Sequence, residues 1–359
     1  MVYYPKFTNV DTGTPMSADV IFIDTLPSIL PSVLPSLLNI NYINASLSVS
    51  SSSNSLTITV NGSDGLPISS SNKVGISFRN SSASSGLRNG RVIESPLSIT
   101  ISSGSTLGVT SATAFRLWIV ASDDAGTVRL GVTKSSLYTV SGVGGTVIIY
   151  PLVDDSIRST VAEGGAGAAD SSGILYTSTT LTNVPMRVIG YIEWNTSGLV
   201  TAGQWTTTNL TNVYMFGPGT ILPGGAVQTA SAYTLTGSNT TSTSFVNVTG
   251  TTVNITQNSP ANFIKLNSSG KLYTSLVAAT NVISSVTFGR NGSQIGPISW
   301  AGAQSGAGGI QGLAAAALNY IDFANSSASI AYTIMHNTNV ATNSTFTDNA
   351  YIAAEEIMS

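Results

Sequence analysis

The chain has 359 residues, of which only 8% are charged, and a formal net charge of −3; an ordinary soluble domain carries about a quarter charged residues. With 13 Lys and Arg, 16 Asp and Glu, one His and no Cys, it offers few groups for acid–base work, no basic field for phosphates, and neither disulfide nor thiolate–metal chemistry. Disorder is excluded as well, because 42% of the residues are hydrophobic and the net charge is small.

Met1 to Val10 mixes Tyr3, Tyr4, Pro5 and Lys6, so no basic segment followed by an apolar run opens the chain and no secretion signal is expected. Apolar runs stop well short of the roughly 18 residues needed to cross a bilayer, so no membrane insertion is expected. Residues 26–38 then repeat Leu-Pro-Ser with a period of four, placing Leu26, Pro27, Leu30, Pro31, Leu34 and Pro35 at equal spacing. Each internal proline would lose a helical hydrogen bond and pushes the preceding Leu toward extended geometry, which excludes a regular helix. The segment reads either as an attachment or oligomerisation element or as an apolar linker packed on its own domain.

From about residue 45 the pattern becomes short runs of period two separated by Gly, Ser and Asn. Ser55–Val60 and Pro96–Ile101 alternate aliphatic with polar residues. Phe115–Val120 and Thr127–Val132 read as a hairpin joined through Ser122, Asp123, Asp124, Ala125 and Gly126. Further strands are expected at Val147–Leu152, Met186–Trp194, Asn212–Phe216, Phe245–Ile255, Ser284–Arg290, Ile330–Met335 and Ala350–Ile357. The Gly- and Pro-rich stretch 217–225 cannot extend a central strand and marks a domain boundary. Leu313–Leu318, with four consecutive alanines, reads as a short helix, with a strand as the competing assignment.

Few constellations carry chemistry. Asp123-Asp124 and Asp154-Asp155 are adjacent acids without EF-hand spacing, and as turn residues they bond their own backbone. Glu355-Glu356 lies in a strand-like run, where one side chain faces out and the other inward or across an interface. His336 has no acid nearer in sequence than Asp348 and reads as structural. Gly306–Gly309 lacks the spacing and acidic partner of a dinucleotide fingerprint, and no nucleophile elbow or phosphate loop occurs. Asn-x-Ser/Thr triplets such as Asn239-Thr240-Thr241 follow from the abundance of Asn, Ser and Thr. Tyr191, Trp194 and Trp205 are the candidates for receptor contact, since indoles and phenols offer flat apolar faces beside hydrogen-bond donors; the competing reading closes them into the core. Trp118, inside a strand, reads as core or interface.

The run Gly86-Leu-Arg88-Asn-Gly-Arg91-Val-Ile-Glu-Ser-Pro96, followed by Phe115-Arg-Leu-Trp118 and Asp123-Asp-Ala-Gly126-Thr-Val-Arg-Leu-Gly131, resembles a module of tailed-bacteriophage virion proteins of the tail-fibre kind. The likeness continues through Glu163-Gly-Gly-Ala-Gly167-Ala-Ala-Asp170, Arg187-Val-Ile-Gly190-Tyr-Ile-Glu-Trp194, Thr201-Ala-Gly-Gln-Trp205 and Gly217-Pro-Gly219 to Gln228, covering about residues 60–228. The ending, Tyr320-Ile-Asp322, Ile330-Ala-Tyr332-Thr-Ile and Tyr351-Ile-Ala-Ala-Glu355-Glu356-Ile357, is similar to the C-terminal β domain of phage fibres. Asp11-Thr-Gly13-Thr-Pro15 is similar to a fibre opening, but the Pro repeat stands where a helix usually follows.

The expected fold is therefore mainly β: an attachment segment over 1–44, a middle β domain over 45–225 and a C-terminal β-sandwich of jelly-roll type over 226–359. The resemblance implies a non-enzymatic virion protein, a homotrimeric tail fibre or receptor-binding appendage, without cofactor or metal. Its expected partners are its own copies, other tail or capsid proteins and a host surface glycan or protein, and not nucleic acid. A capsid head fibre or decoration protein is the alternative, and a surface polysaccharide depolymerase the second, which needs carboxylates converging in a groove.

Overall fold

A computed structural model describes residues 45–80, 88–134, 139–140, 147–148, 155–165, 170–217, 220–274, 282–303, 312–340 and 345–358. The Pro-repeat residues Leu26, Pro27, Leu30, Pro31, Leu34 and Pro35 lie outside these, as do Asp154 and Gly306–Gly309. Regular structure among the described residues is β throughout.

Strands β1 (Ala45–Ser52) and β2 (Ser55–Gly62) form a hairpin, β3 (Val74–Arg79) and β4 (Arg88–Ile93) form a second ladder, and β5 (Leu97–Ile101) adds to β2. A second sheet is built on β6 (Phe115–Asp124) and β7 (Thr127–Thr133). After the short pair β8 (Thr139–Val140) and β9 (Val147–Ile148), this sheet is completed by β10 (Asp155–Arg158), β11 (Val161–Ala162), β12 (Tyr176–Thr177), β13 (Val184–Trp194) and β14 (Leu210–Met215). Its order is β10-β13-β6-β7-β12-β11, with β14 pairing on β13.

The remaining ten strands form two further antiparallel sheets: β15 (Ala226–Thr234), β16 (Ser238–Thr240), β17 (Val246–Asn247), β18 (Val253–Thr256), β19 (Phe263–Thr274), β20 (Val282–Arg290), β21 (Ser293–Ala303), β22 (Gly312–Asp322), β23 (Ser329–Thr338) and β24 (Thr345–Ile357). One sheet runs β15-β24-β19-β22 with β16 on β24, the other β17-β23-β20-β21 with β18 on β23. No strand before Gly217 pairs with a strand after Gly225 among the described residues.

Alternation produces the cores. On β2 and β5, Leu56, Ile58, Val60, Leu97, Ile99 and Ile101 are buried between polar neighbours, and they pack with Phe115, Leu117, Ile119 and Trp194 of the facing sheet. In the C-terminal sandwich, Ile264, Leu266, Leu318 and Ile352 of one sheet meet Val286, Phe288, Tyr332 and Ile334 of the other. The Tyr332 hydroxyl donates to Asp322 Oδ2 (2.6 Å), which Arg290 Nη1 also contacts, and burial with this bond raises the phenol pKa.

The β6–β7 hairpin is tighter than the sequence suggests. Asp124 already pairs with Thr127, leaving only Ala125 and Gly126 in the turn, both with positive φ (49° and 104°). Asp123 Oδ1 accepts from Gly126 N (2.9 Å), which closes the turn with an acid from its own strand. Leu313–Leu318 is not a helix: the segment belongs to β22, paired with β19 from Asp322 to Gly312. Tertiary pairing overrides alanine's helix propensity, because Ala316 and Leu318 face the core while Ala315 and Ala317 face out, a period of two. The expected strand Phe245–Ile255 is likewise split into β17 and β18 by a turn in which Thr251 N bonds Val248 O (3.3 Å) and Gly250 has φ 82°.

A bulge between Val188 and Gly190 shifts the register of β13 against β6, so that Tyr191 and Glu193 lie on the outer face while Ile192 and Trp194 stay in the core. Gly190 permits the close approach of β14: a Cβ there would lie 2.3 Å from Tyr214 O and 2.8 Å from Leu47 Cδ1. Gly190→Ala is therefore expected to lower stability by about 1–3 kcal/mol or more, measured by chemical denaturation; an unchanged midpoint would count against this packing.

Candidate functional site

The outer face of the β6–β13–β14 sheet carries two transverse rows set by register. Trp118, Tyr191 and Tyr214 form one; Arg116, Glu193 and Asn212 form the next. Tyr191 stacks on Tyr214 (centroids 5.3 Å apart, 26° between planes) and meets Trp118 edge-on at 5.6 Å. The Arg116 guanidinium sits over the rings of Tyr191 (4.7 Å) and Trp118 (5.2 Å) and donates to Glu193 Oε2 from Nε (3.2 Å) and Nη2 (2.8 Å). Both side chains of this ion pair are only 3% exposed.

The loop before β19 closes over this face. Ser259 Oγ donates to Glu193 Oε1 (2.6 Å), while Ser259 N donates to Glu356 Oε1 (3.2 Å), so one serine ties together a carboxylate from each sandwich. Glu356 is fully buried and pairs with no cation among the described residues. Its charge is held by Asn262 Nδ2 (2.6 Å), Asn258 N (3.0 Å) and Gln228 Nε2 (2.6 Å) in addition to Ser259 N. Its neighbour Glu355 points the other way and pairs with Lys265 (3.1 Å), as strand alternation requires. Beside this junction Met358 packs with Trp118, Val188 and Phe216, Val227 leans on the same cluster, and Ala114 N donates to Asn325 Oδ1 (3.0 Å).

Between the rows and the loop lies a cleft of about 320 Å³ lined by Arg116, Tyr191, Glu193, Asn212, Tyr214 and Thr220, with Asn258, Ser259 and Met358 opposite. A smaller cleft of about 190 Å³ lies near Phe115, Lys134 and Asn325. Lys134 Nζ donates to Gly108 O (3.2 Å), and burial lowers its pKa.

Of the three aromatic residues singled out in sequence, Tyr191 lines the larger of these two clefts. Trp194 and Trp205 require correction: both are fully buried, with Nε1 donating to Thr206 O (3.0 Å) and Ser105 O (2.8 Å) respectively. Trp194 stacks on Phe115 at 4.5 Å and meets Trp205 edge-on at 5.9 Å, so neither indole presents a face to a receptor. The adjacent acids are occupied structurally. Asp123 pairs with Arg91 (2.8 Å), Asp124 with Arg129 (2.7 Å) and Asp155 with Arg88 (2.6 Å). Glu163 and Asp170 accept from Ser102 Oγ (2.8 Å) and Ser105 Oγ (3.2 Å), pinning their segment to the turn after β5. No cluster of three or more His, Asp or Glu able to hold a metal ion occurs among the described residues.

No protein-family model matches the chain, and no curated protein sequence matches it. Among solved structures, it overlaps loosely with an insecticidal delta-endotoxin from Bacillus thuringiensis (TM-score 0.23, 9% identity, 88% of this chain and 52% of that one). It also overlaps with the structure of infectious bursal disease virus Gt strain (TM-score 0.24, 11% identity, 92% of this chain and 76% of that one). The chain spans about half the length of the endotoxin. Overlaps at these scores carry no argument about what the site does.

Removing one partner of the junction ion pair strands the other in a dry environment. Glu193→Ala is expected to cost about 3–5 kcal/mol, read from urea unfolding; a loss under about 1 kcal/mol would show the pair to be dispensable.

His336, fully buried on the inner face of β23 opposite Val286, has no hydrogen-bond partner on either ring nitrogen among the described residues. Burial lowers its pKa from 6.5 to about 4, so the folded ring is neutral at pH 7. The unfolded chain takes up a proton near pH 6.5 and the folded one refuses it until about 4, so this contribution is complete above 6.5 and is lost as pH falls toward 4, at about 1.4 kcal/mol per unit. A His336→Leu variant is expected to lose less stability than the parent between pH 7 and 4.5, and parallel stability curves would refute the assignment.

Proposed function

We propose that the chain is a non-enzymatic structural protein of a bacteriophage virion, working as a homotrimeric tail fibre or receptor-binding appendage. The observation that carries this reading is the distribution of exposed apolar side chains on the C-terminal sandwich. Tyr233 and Tyr351 face each other across β15 and β24, 60% and 40% exposed, with Leu235 following, while Trp300 (67%) and Ile298 (51%) stand on β21. A solitary protein leaves such surface to water; copies packed about a symmetry axis cover it and cover the edges of β15 and β21 with it.

Strand order supports the reading at the level of fold. Counting β15 with β16 as one strand and β17 with β18 as another, the two C-terminal sheets run 1-8-3-6 and 2-7-4-5 in chain order. This is the wiring of a jelly roll, a fold that viral capsid and lectin domains carry. Fold alone does not assign function; the phage-like sequence blocks supply the virion context.

The carboxylates support a role without catalysis. Arg187, opposite Asp155, is separated along β13 from Glu193 by about 20 Å at roughly 3.3 Å per residue, too far for the two acids to flank one glycosidic bond. Glu193 and Glu356 do converge on Ser259, but their oxygens already accept from Arg116, Ser259, Gln228 and Asn262, so both acids are committed to holding the junction rather than set on either side of a bond to be cleaved.

Mass measurement on the purified full chain tests the oligomer: a trimer is expected, and a stable monomer would overturn the reading. Incubation with host polysaccharide should release no reducing ends.

A further inference from the structure

We infer that the cleft at the junction of the two sandwiches is a binding site for a neutral saccharide unit. This deepens the receptor-binding part of the proposed function and rests on it for its biological setting, but its argument is the chemistry of the lining. The floor is the Tyr191–Tyr214 stack, whose outer ring, Tyr214, is 41% exposed and so presents an aromatic face to whatever enters. Sugar rings have one face of axial C–H groups that packs on such a surface, while their hydroxyls project sideways and require donors and acceptors.

Those groups are present and uncommitted. Exposed Asn212 lies beside Tyr214 on β14, opposite Glu193, and Asn258 faces it from the loop before β19. The side-chain amides of Asn212 and Asn258 make no hydrogen bond within the described structure, whereas Asn262 commits its Nδ2 to Glu356. An amide offers two donors and a carbonyl acceptor, which matches the mixed donor and acceptor character of adjacent hydroxyls. Thr220, hydrogen-bonded to the Tyr214 hydroxyl (3.2 Å), fixes the ring at the mouth of the cleft.

Charge selects against other ligands. Arg116 and Glu193 are the charged residues in the lining, and they neutralise one another through two hydrogen bonds. A phosphate, sulfate or carboxylate would have to compete with Glu193 for the guanidinium and leave the glutamate buried without its partner. A cation would meet the converse penalty at Arg116. An uncharged polyol makes no such demand, and a volume of about 320 Å³ suits a small ligand. Because residues of both sandwiches line it, the cleft exists only while the Ser259 junction is closed.

The test applies the purified full chain, with Asn212→Ala and Tyr214→Ala as variants, to an array of neutral, sialylated and sulfated oligosaccharides, followed by titration of the best neutral ligand. Both substituted residues are exposed, so folding and oligomer mass should match the parent. Binding to neutral glycans is expected, weakened at least tenfold in each variant. Absence of neutral-glycan binding, a preference for the charged glycans, or retention of affinity in both variants would overturn the site. A trimer that binds no glycan would sink this inference and leave the oligomeric reading intact; a monomer that binds through Asn212 and Tyr214 would do the reverse.

Discussion

A buried carboxylate needs hydrogen-bond donors to replace the water it has lost, and the architecture turns on two that have them. Glu193 and Glu356 come from different sandwiches and meet at Ser259, whose hydroxyl serves one and whose backbone N–H serves the other. Loss of that serine's position would leave both acids short of a donor in a dry site, so the loop 257–262 is held as firmly by the acids as the acids are by it. Gln257 strengthens the arrangement by donating to Asn262 O (2.8 Å). The orientation of one sandwich against the other is thus fixed by a small number of directional bonds around an apolar patch containing Met358 and Phe216.

The scarcity of charge acquires a local meaning here. Where ions occur in the described core they come already paired, as in Arg116–Glu193 and Arg290–Asp322, or wrapped in amides, as at Glu356. Elsewhere hydroxyls satisfy one another at little desolvation cost: Thr160 with Thr177, Thr274 with Ser284, Thr251 with Thr333. A chain built this way can bury polar side chains between sheets and between copies without the penalty that an unmatched charge would impose.

How much of this is legible in sequence depends on the distance over which each feature is determined. Period two and turn chemistry are local, so the β6–β7 hairpin, β13 and β24 are readable, although Asp123 closing its own turn shortens the hairpin loop. The Ala-rich run is misread because its local propensity favours a helix, while the deciding fact is its pairing with β19, whose nearest paired residue lies dozens of positions earlier. Trp194 and Trp205 carry the composition of a recognition surface, yet Phe115 and Ser105, far away along the chain, close over them. Glu356 could be read as the inward member of an alternating pair; its donors, at Gln228 and Asn258–Asn262, could not, since strand alternation says nothing about which loop arrives overhead. Asn212 and Tyr214 are not legible as site residues for the same reason: only pairing against Glu193 and Tyr191 places them on the face that the second sandwich roofs.

The junction and the cleft are consequences of one geometric fact, the bulge at Ile189. Without it β13 would continue its alternation and present Ile192, not Tyr191 and Glu193, to the outer face, and the sheet would offer the C-terminal loop an aliphatic surface to which Ser259 has nothing to donate. The extra residue brings Tyr191 alongside Trp118 and Glu193 alongside Arg116, so a cation–π stack and an ion pair form in adjacent rows. It also needs a residue without a side chain next in sequence, because β14 passes too close to Gly190 for a Cβ. The aromatic floor of the cleft, the anchor for the second sandwich and the glycine that admits the edge strand are therefore selected together, and altering any one of them disturbs the others.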